Sequence, residues 1–140
     1  MNIGFIGLGK MGFNMVLHLL ENAHSLTVFD LSRDAIDAAC RHGATAATSV
    51  EDVAMQLSTP RLIWLMLPAG SVVDSTIERL LPHLMAGDCI IDGGNSHFHD
   101  TMRRAAQLRE KGIALLDVGT SGGLDGARNG ACMMVGGEPS

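Results

Sequence analysis

The sequence predicts an α/β fold: an open, doubly wound, mostly parallel sheet with helices on both faces. Three observations lead there. Apolar runs of strand length alternate about five times with segments of helical period, as in successive right-handed βαβ units. No hairpin signature interrupts that alternation before residue 119. From 61 to 67 the chain runs apolar without alternating, as expected of a parallel strand buried on both faces.

Residues 3–6 form the first predicted strand. Met11, Met15, Val16 and Leu19 then recur at helical spacing, so a helix over 10–22 should lay one face on the sheet. The apolar run 26–29 is the second strand. Ser32 with Arg33-Asp34 opens a helix reaching Arg41, and Gly43 stops it. A short, weak strand follows at 44–47. Ser49 ahead of Val50-Glu51-Asp52 is an N-cap with an acidic first turn, opening a helix that ends before Pro60. Pro68-Ala69-Gly70 breaks the strand at 61–67. A helix is expected over 71–81, a strand over 88–91, a helix with a strongly charged outer face over 98–111, and a strand over 113–118. In such a sheet the loops after Ile6, Phe29, Leu67, Ile91 and Val118 share one rim, at the carboxyl ends of the strands, where ligands bind.

The first of these loops is Gly7-Leu8-Gly9-Lys10-Met11-Gly12. Between a strand and a helix this spacing is the Rossmann-type recipe for a dinucleotide pyrophosphate. Gly7 permits the tight turn, Gly9 lets the backbone approach the phosphates, and Gly12 allows close packing of helix on strand. Asp30 ends the second strand 23 residues beyond Gly7, where a carboxylate accepts hydrogen bonds from a ribose 2′-hydroxyl and repels a 2′-phosphate. NAD is therefore expected in preference to NADP. Arg33 pulls the other way, since a guanidinium three residues on can pair with that phosphate.

Composition narrows the class. A chain of 140 residues suits one domain, 1–140, with a proper core. Its net charge of −5, with no basic cluster flanked by stacking aromatics, argues against nucleic acid. Cys40, Cys89 and Cys132 are odd in number and widely spaced, which fits small buried thiols in a reducing compartment rather than disulfides or zinc. No apolar run approaches the roughly 20 residues of a membrane span, and no leader-like segment precedes the first strand, so a soluble cytoplasmic protein is expected. The six histidines show no spacing for a metal, and no metal site is expected. His97 and His99 fit solvated positions at a helix start better than a cleft.

Two further rim loops carry unusual residues. Asp92-Gly93-Gly94-Asn95-Ser96 joins two glycines to an amide and a hydroxyl, and the stretch 119–130 has five glycines in twelve residues. That much backbone freedom costs folding entropy, and exposed N–H groups for an anionic or polyhydroxylated ligand would explain it.

With Gly4-Phe5-Ile6-Gly7-Leu8-Gly9-Lys10-Met11-Gly12, the chain resembles the β-hydroxyacid dehydrogenases. Ile90-Ile91-Asp92-Gly93-Gly94-Asn95-Ser96, and Ser121-Gly122-Gly123 with Gly126-Ala127, narrow the resemblance to the N-terminal coenzyme domain of 6-phosphogluconate dehydrogenase. Asp30 resembles the shorter, NAD-preferring branch; NADP users tend to place Asn-Arg near that position. The resemblance implies oxidation of the 3-hydroxyl of 6-phosphogluconate by hydride transfer to a nicotinamide, then decarboxylation to ribulose 5-phosphate. It assigns Gly7, Leu8, Gly9, Lys10, Met11, Gly12, Asp30, Leu67, Pro68 and Ala69 to the cofactor. Asn95 falls to both cofactor and substrate, and Ser121, Gly122 and Gly123 to the sugar acid.

The resemblance also implies a general-base lysine and a general-acid glutamate in a helical domain beyond residue 140, and a homo-oligomer. No catalytic residue is expected within the chain: Lys10 lies in the pyrophosphate turn, Lys111 sits near a helix end, and Asp125 and Glu138 are poorly placed. The alternatives are another β-hydroxyacid dehydrogenase, of the 3-hydroxyisobutyrate or glyoxylate reductase type, which the Asp92 to Ser96 motif disfavours, or a non-catalytic NAD-binding module.

Overall fold

A computed structural model describes residues 1–121, 128 and 132–136. The elements run β1 (Asn2–Ile6), α1 (Lys10–Glu21), β2 (Ser25–Phe29), α2 (Arg33–Arg41), β3 (Thr45–Ala46), α3 (Val50–Gln56), β4 (Leu62–Leu65), α4 (Ser71–Leu80), β5 (Cys89–Asp92), α5 (Phe98–Arg109), β6 (Ala114–Ser121) and β7 (Cys132–Gly136). The sheet order is β3-β2-β1-β4-β5-β6-β7. The first six strands are parallel and β7 joins antiparallel to β6. The chain therefore winds outward twice from β1, and the switch point lies between β1 and β4.

Local chemistry sets the helix starts. The Ser32 hydroxyl accepts the Ala35 N–H at 3.2 Å, and that of Ser49 accepts the Asp52 N–H at 3.0 Å, so each satisfies a free first-turn donor as its sequence predicts. Helices α1 and α2 cover one face of the sheet, where Met15 and Val16 join Phe5, Leu26 and Val28 in one core. Helices α3, α4 and α5 cover the other, burying Val53, Ile77, Leu80 and Leu108 against Ile63, Leu65 and Ile90. Register places Leu65, Asp92 and Asp117 side by side on that second face.

The structure departs from expectation in three places. Strand β4 is fully buried on one face only: Ile63 and Leu65 are sealed, whereas Leu62 and Trp64 are half-buried, because α1 and α2 follow β1 and β2 and stop short of covering β4. Strand β6 continues past Val118, so Gly119, Thr120 and Ser121 belong to the ladder with β7 rather than to a loop of free N–H groups. Strand β7 itself was not anticipated; it follows the glycine-rich stretch, whose density masked a short apolar run.

Candidate functional site

The β1–α1 turn sits at the switch point. Gly7 has φ +105, and a Cβ there would lie 2.2 Å from the Met66 carbonyl oxygen, so no other residue fits. A Cβ on Gly12 would lie 2.2 Å from the Gly7 carbonyl oxygen, so the helix can approach the turn only without a side chain. Gly9 differs from both. Its Cβ would meet nothing within 4 Å, so the fold does not require glycine there, and the exposed backbone is open to an incoming ligand.

Helix electrostatics agree. Asp34 lies in the first turn of α2, Glu51 and Asp52 in that of α3, Asp74 in that of α4 and Asp100 in that of α5. Helix α1 has no acidic residue in its first turn and no side-chain cap. Its positive dipole end and first-turn N–H groups are left for an external anion.

Asp30 stands beside this turn. One carboxylate oxygen accepts the Leu8 N–H at 2.7 Å and the other the Ser32 N–H at 2.8 Å. These charge-assisted bonds hold the group at the mouth, and each oxygen keeps a lone pair for a vicinal diol. An open cleft of about 240 Å³ adjoins it, lined by Phe29, Asp30, Leu31, Arg33, Ile36, Ala47 and Thr48. Leu31 is 95% exposed and brings no charge to that corner. Arg33 is paired along its own helix, Nε to Asp37 Oδ1 at 3.2 Å, which weakens its claim on a 2′-phosphate.

On the other side of the switch point, Leu67 is half-buried while Pro68 and Ala69 are exposed. The β5–α5 turn packs directly on this loop, since a Cβ on Gly94 would lie 2.1 Å from the Leu67 carbonyl oxygen. Asn95 follows, exposed, at φ 58 in the left-handed region that asparagine tolerates. Beneath it Asp92 is fully buried, accepting the Gly94 N–H at 3.0 Å and the Ser96 hydroxyl.

Residues 2–140 match the family model of the NAD binding domain of 6-phosphogluconate dehydrogenase. The chain belongs to this family. It is 47% identical over 137 residues to the NAD(+)-dependent, decarboxylating 6-phosphogluconate dehydrogenase of Haloferax volcanii, covering 98% of the chain and 45% of that protein. It is 46% identical over 142 residues to the decarboxylating enzyme of Aggregatibacter actinomycetemcomitans, covering 98% of the chain and 29% of that protein. The chain thus spans less than half the length of these relatives. Among solved structures, Plasmodium falciparum 6-phosphogluconate dehydrogenase superimposes with a TM-score of 0.87 at 33% identity, covering 96% of the chain and 30% of that structure. Mycobacterium tuberculosis 3-hydroxyisobutyrate dehydrogenase gives 0.90 at 29%, covering 98% and 46%.

The remaining candidates fall around this coenzyme-domain rim or away from it. Ser121 ends β6, in register with Cys132, whereas Gly122, Gly123, Asp125 and Glu138 lie outside the described residues. Lys10 is exposed at the first turn of α1. Lys111 follows α5 just before β6, at the amino ends of the strands and away from the rim. His97 is exposed and caps α5, accepting the His99 N–H at 3.3 Å, as its helix-start reading expects. Among the described residues no group of metal-binding side chains forms, and no helix is long and apolar enough to cross a membrane.

The outer face of α5 is charged as expected, with Arg103 and Arg109 exposed, but one charged residue of the helix turns inward. Arg104 is buried, 1% exposed, on the same stripe as Leu108. Its Nε donates to Asp74 Oδ1 at 2.7 Å and its Nη2 to the Gly70 carbonyl at 3.0 Å. The Arg104 hydrogen bond, followed by that of Arg103, holds the Asp74 carboxyl below its ordinary range. The sequence signal was its spacing: Thr101, Arg104 and Leu108 share the inward face, but charge outweighed period in the reading.

Asp117 moves the opposite way. Burial first, and then the neighbouring Asp92 charge, push its carboxyl up. A raised folded-state pKa favours the protonated group in the fold, so stability is lost as pH rises through the interval between the unfolded and folded values. Asp117→Asn is expected to raise the urea midpoint of the domain at neutral pH, with no difference in strong acid. Urea melts at the two pH values measure this, and equal midpoints at neutral pH would refute it.

Proposed function

We propose that residues 1–140 form the coenzyme domain of an enzyme that oxidises and decarboxylates 6-phosphogluconate to ribulose 5-phosphate, using NAD in preference to NADP. One observation carries the reading: α1, alone among the described α-helices in lacking a first-turn acid, starts beside the open Gly9, in the same turn whose Leu8 N–H is held by the carboxylate of Asp30.

In this reading the backbone at Gly7, Leu8, Gly9, Lys10, Met11 and Gly12 holds the pyrophosphate. Asp30 accepts the adenosine ribose hydroxyls, and the cleft beside Leu31 and Ile36 takes the base. Leu67, Pro68 and Ala69 form an apolar wall on the nicotinamide side. The Asn95 amide donates and accepts toward carboxamide and hydroxyl groups, and Ser121, Gly122 and Gly123 bind the sugar acid. Bound NAD supplies the hydride acceptor. The chain's own part is binding and orientation, because neither of its two lysines stands where it can take a proton from a hydroxyl in the cleft. A helical partner domain supplies the general base and acid. A reducing, cytoplasmic setting suits the free Cys40 and Cys89.

Calorimetric titration should give saturable binding of NAD and weaker binding of NADP. The same chain mixed with NAD and 6-phosphogluconate should show no reduction of nucleotide above background. Steady turnover would mean that catalytic groups lie within these residues. A 3-hydroxyisobutyrate-type enzyme is the second reading, favoured by the TM-score of 0.90; the Asp92 to Ser96 turn weighs against it.

Exposed apolar side chains fit self-association. Phe98 and Met102, one turn apart on α5, are 66% and 56% exposed. Concentration-dependent dimers or larger species are expected in light scattering, and a monomer at all concentrations would exclude this.

A further inference from the structure

Two rim loops meet beside the nicotinamide half of the proposed cleft, and one buried guanidinium ties both to the body of the domain. Arg104 reaches three elements. Its Nη2 binds the Gly70 carbonyl at the end of the Leu67-Pro68-Ala69 loop, and its Nε binds Asp74 in the first turn of α4. Its Nη1 faces Asp92 Oδ2 at 3.6 Å, and both side chains are only 1% exposed. Asp92 in turn fastens the Asn95 turn through the Gly94 N–H and the Ser96 hydroxyl.

Desolvating a charge this deeply buried is costly even when it is paired, so it is a poor choice for stability alone. Arginine suits the position because its fork of donors has fixed geometry and can hold acceptors from separate segments at set spacing. The loops are also in mutual contact, with Gly94 against the Leu67 carbonyl, so a shift of one moves the other. Asn95 is exposed and in a left-handed conformation, and among the described residues no hydrogen bond holds its side chain in place. Its position is therefore inherited from Asp92 and from the loop beneath.

We propose that Arg104 is a positioning residue, acting through Asp92 and Gly70 to hold Asn95 at a set distance from Leu67, Pro68 and Ala69 and so to shape the nicotinamide end of the cleft. This rests on the dinucleotide reading above. The adenosine end depends on other groups: Asp30, Leu31 and the α1 turn lie across the switch point and make no contact with Arg104. Loosening the arginine should therefore affect one half of the dinucleotide and spare the other.

The test uses the 140-residue chain as wild type, Arg104→Lys and Asp74→Asn, titrated with NADH and with ADP-ribose, which lacks the nicotinamide. Asp74→Asn keeps the arginine and weakens one of its anchors at a partly exposed site, so it serves if Arg104→Lys folds poorly. Both variants should lose affinity for NADH by about tenfold while binding ADP-ribose within about twofold of wild type, and NADH emission should shift toward that of free nucleotide. Amide exchange without ligand should quicken in residues 67–70 and 93–96 and stay unchanged in 7–12. Equal loss of both ligands, or unchanged NADH affinity and exchange, would overturn the proposal. Wild type that binds neither nucleotide would overturn the dinucleotide reading, and this inference with it.

Discussion

Gly12→Val should cut NAD affinity severely and destabilise the domain together, whereas Gly9→Ala should weaken binding and leave stability intact. The two glycines stand in the same turn but for different reasons. At Gly12 a Cβ would lie 2.2 Å from the Gly7 carbonyl oxygen and 3.2 Å from Phe5. The nearest atom is backbone and cannot swing aside, so α1 must lift off the turn. Overpacking of this kind costs about 3 kcal/mol, and displacing the first-turn N–H groups should cost about a hundredfold in NAD affinity. At Gly9 the protein places nothing within 4 Å. A methyl there fits the folded chain and fills only the space that a phosphate would use. Urea melts and calorimetric titration of both variants give the answer. Undiminished NAD binding by Gly9→Ala would mean that the open side of this turn is not the phosphate site.

A double substitution, Asp30→Asn with Leu31→Arg, should turn the coenzyme preference over. The Asp30 carboxylate lies at the mouth of the cleft, accepting the N–H groups of Leu8 and Ser32, and its charge opposes a 2′-phosphate. Asparagine keeps one oxygen for the Leu8 N–H, so the turn survives while the repulsion ends. Leu31 is 95% exposed, so an arginine at that position has room to reach the phosphate with a bidentate fork. The ratio of NAD to NADP affinity should swing by about a hundredfold or more, with Asp30→Asn alone producing the loss of NAD preference. Arg33 also lines the cleft, and its exposed pairing with Asp37 competes only weakly for the guanidinium, so the double variant is compared with Asp30→Asn alone. If Asp30→Asn binds NAD as tightly as wild type, the carboxylate does not contact the ribose.

Much of this is legible in the sequence, because the signals are local. Ser32 and Ser49 announce their helices through a hydroxyl three residues from the donor it satisfies. Alternation of period separates strands from helices, and every predicted strand up to residue 118 is present. The glycine turn and Asp30 are legible for the same reason, since their positions follow from a fixed count of residues through one βα unit. What stayed hidden depends on partners distant in sequence. Arg104 and Asp74 are 30 residues apart, and nothing near Arg104 shows that a charge on α5 turns inward. The pairing of Asp92 with Asp117 emerges only from strand register. Strand β7 was obscured by a glycine-rich stretch whose composition favours a loop.

Taken alone, the amino-acid order determined the class of fold and the places of the glycine turn and of Asp30, the proposed phosphate site and coenzyme-selecting acid, because each rests on backbone geometry repeated within a single supersecondary unit. The tertiary structure decided which glycines the fold itself demands, that Asp30 is tethered by the Leu8 amide, and that a sealed arginine joins two rim loops. Those depend on distances between segments brought together by packing, where steric exclusion and the cost of burying charge act across the sheet rather than along the chain.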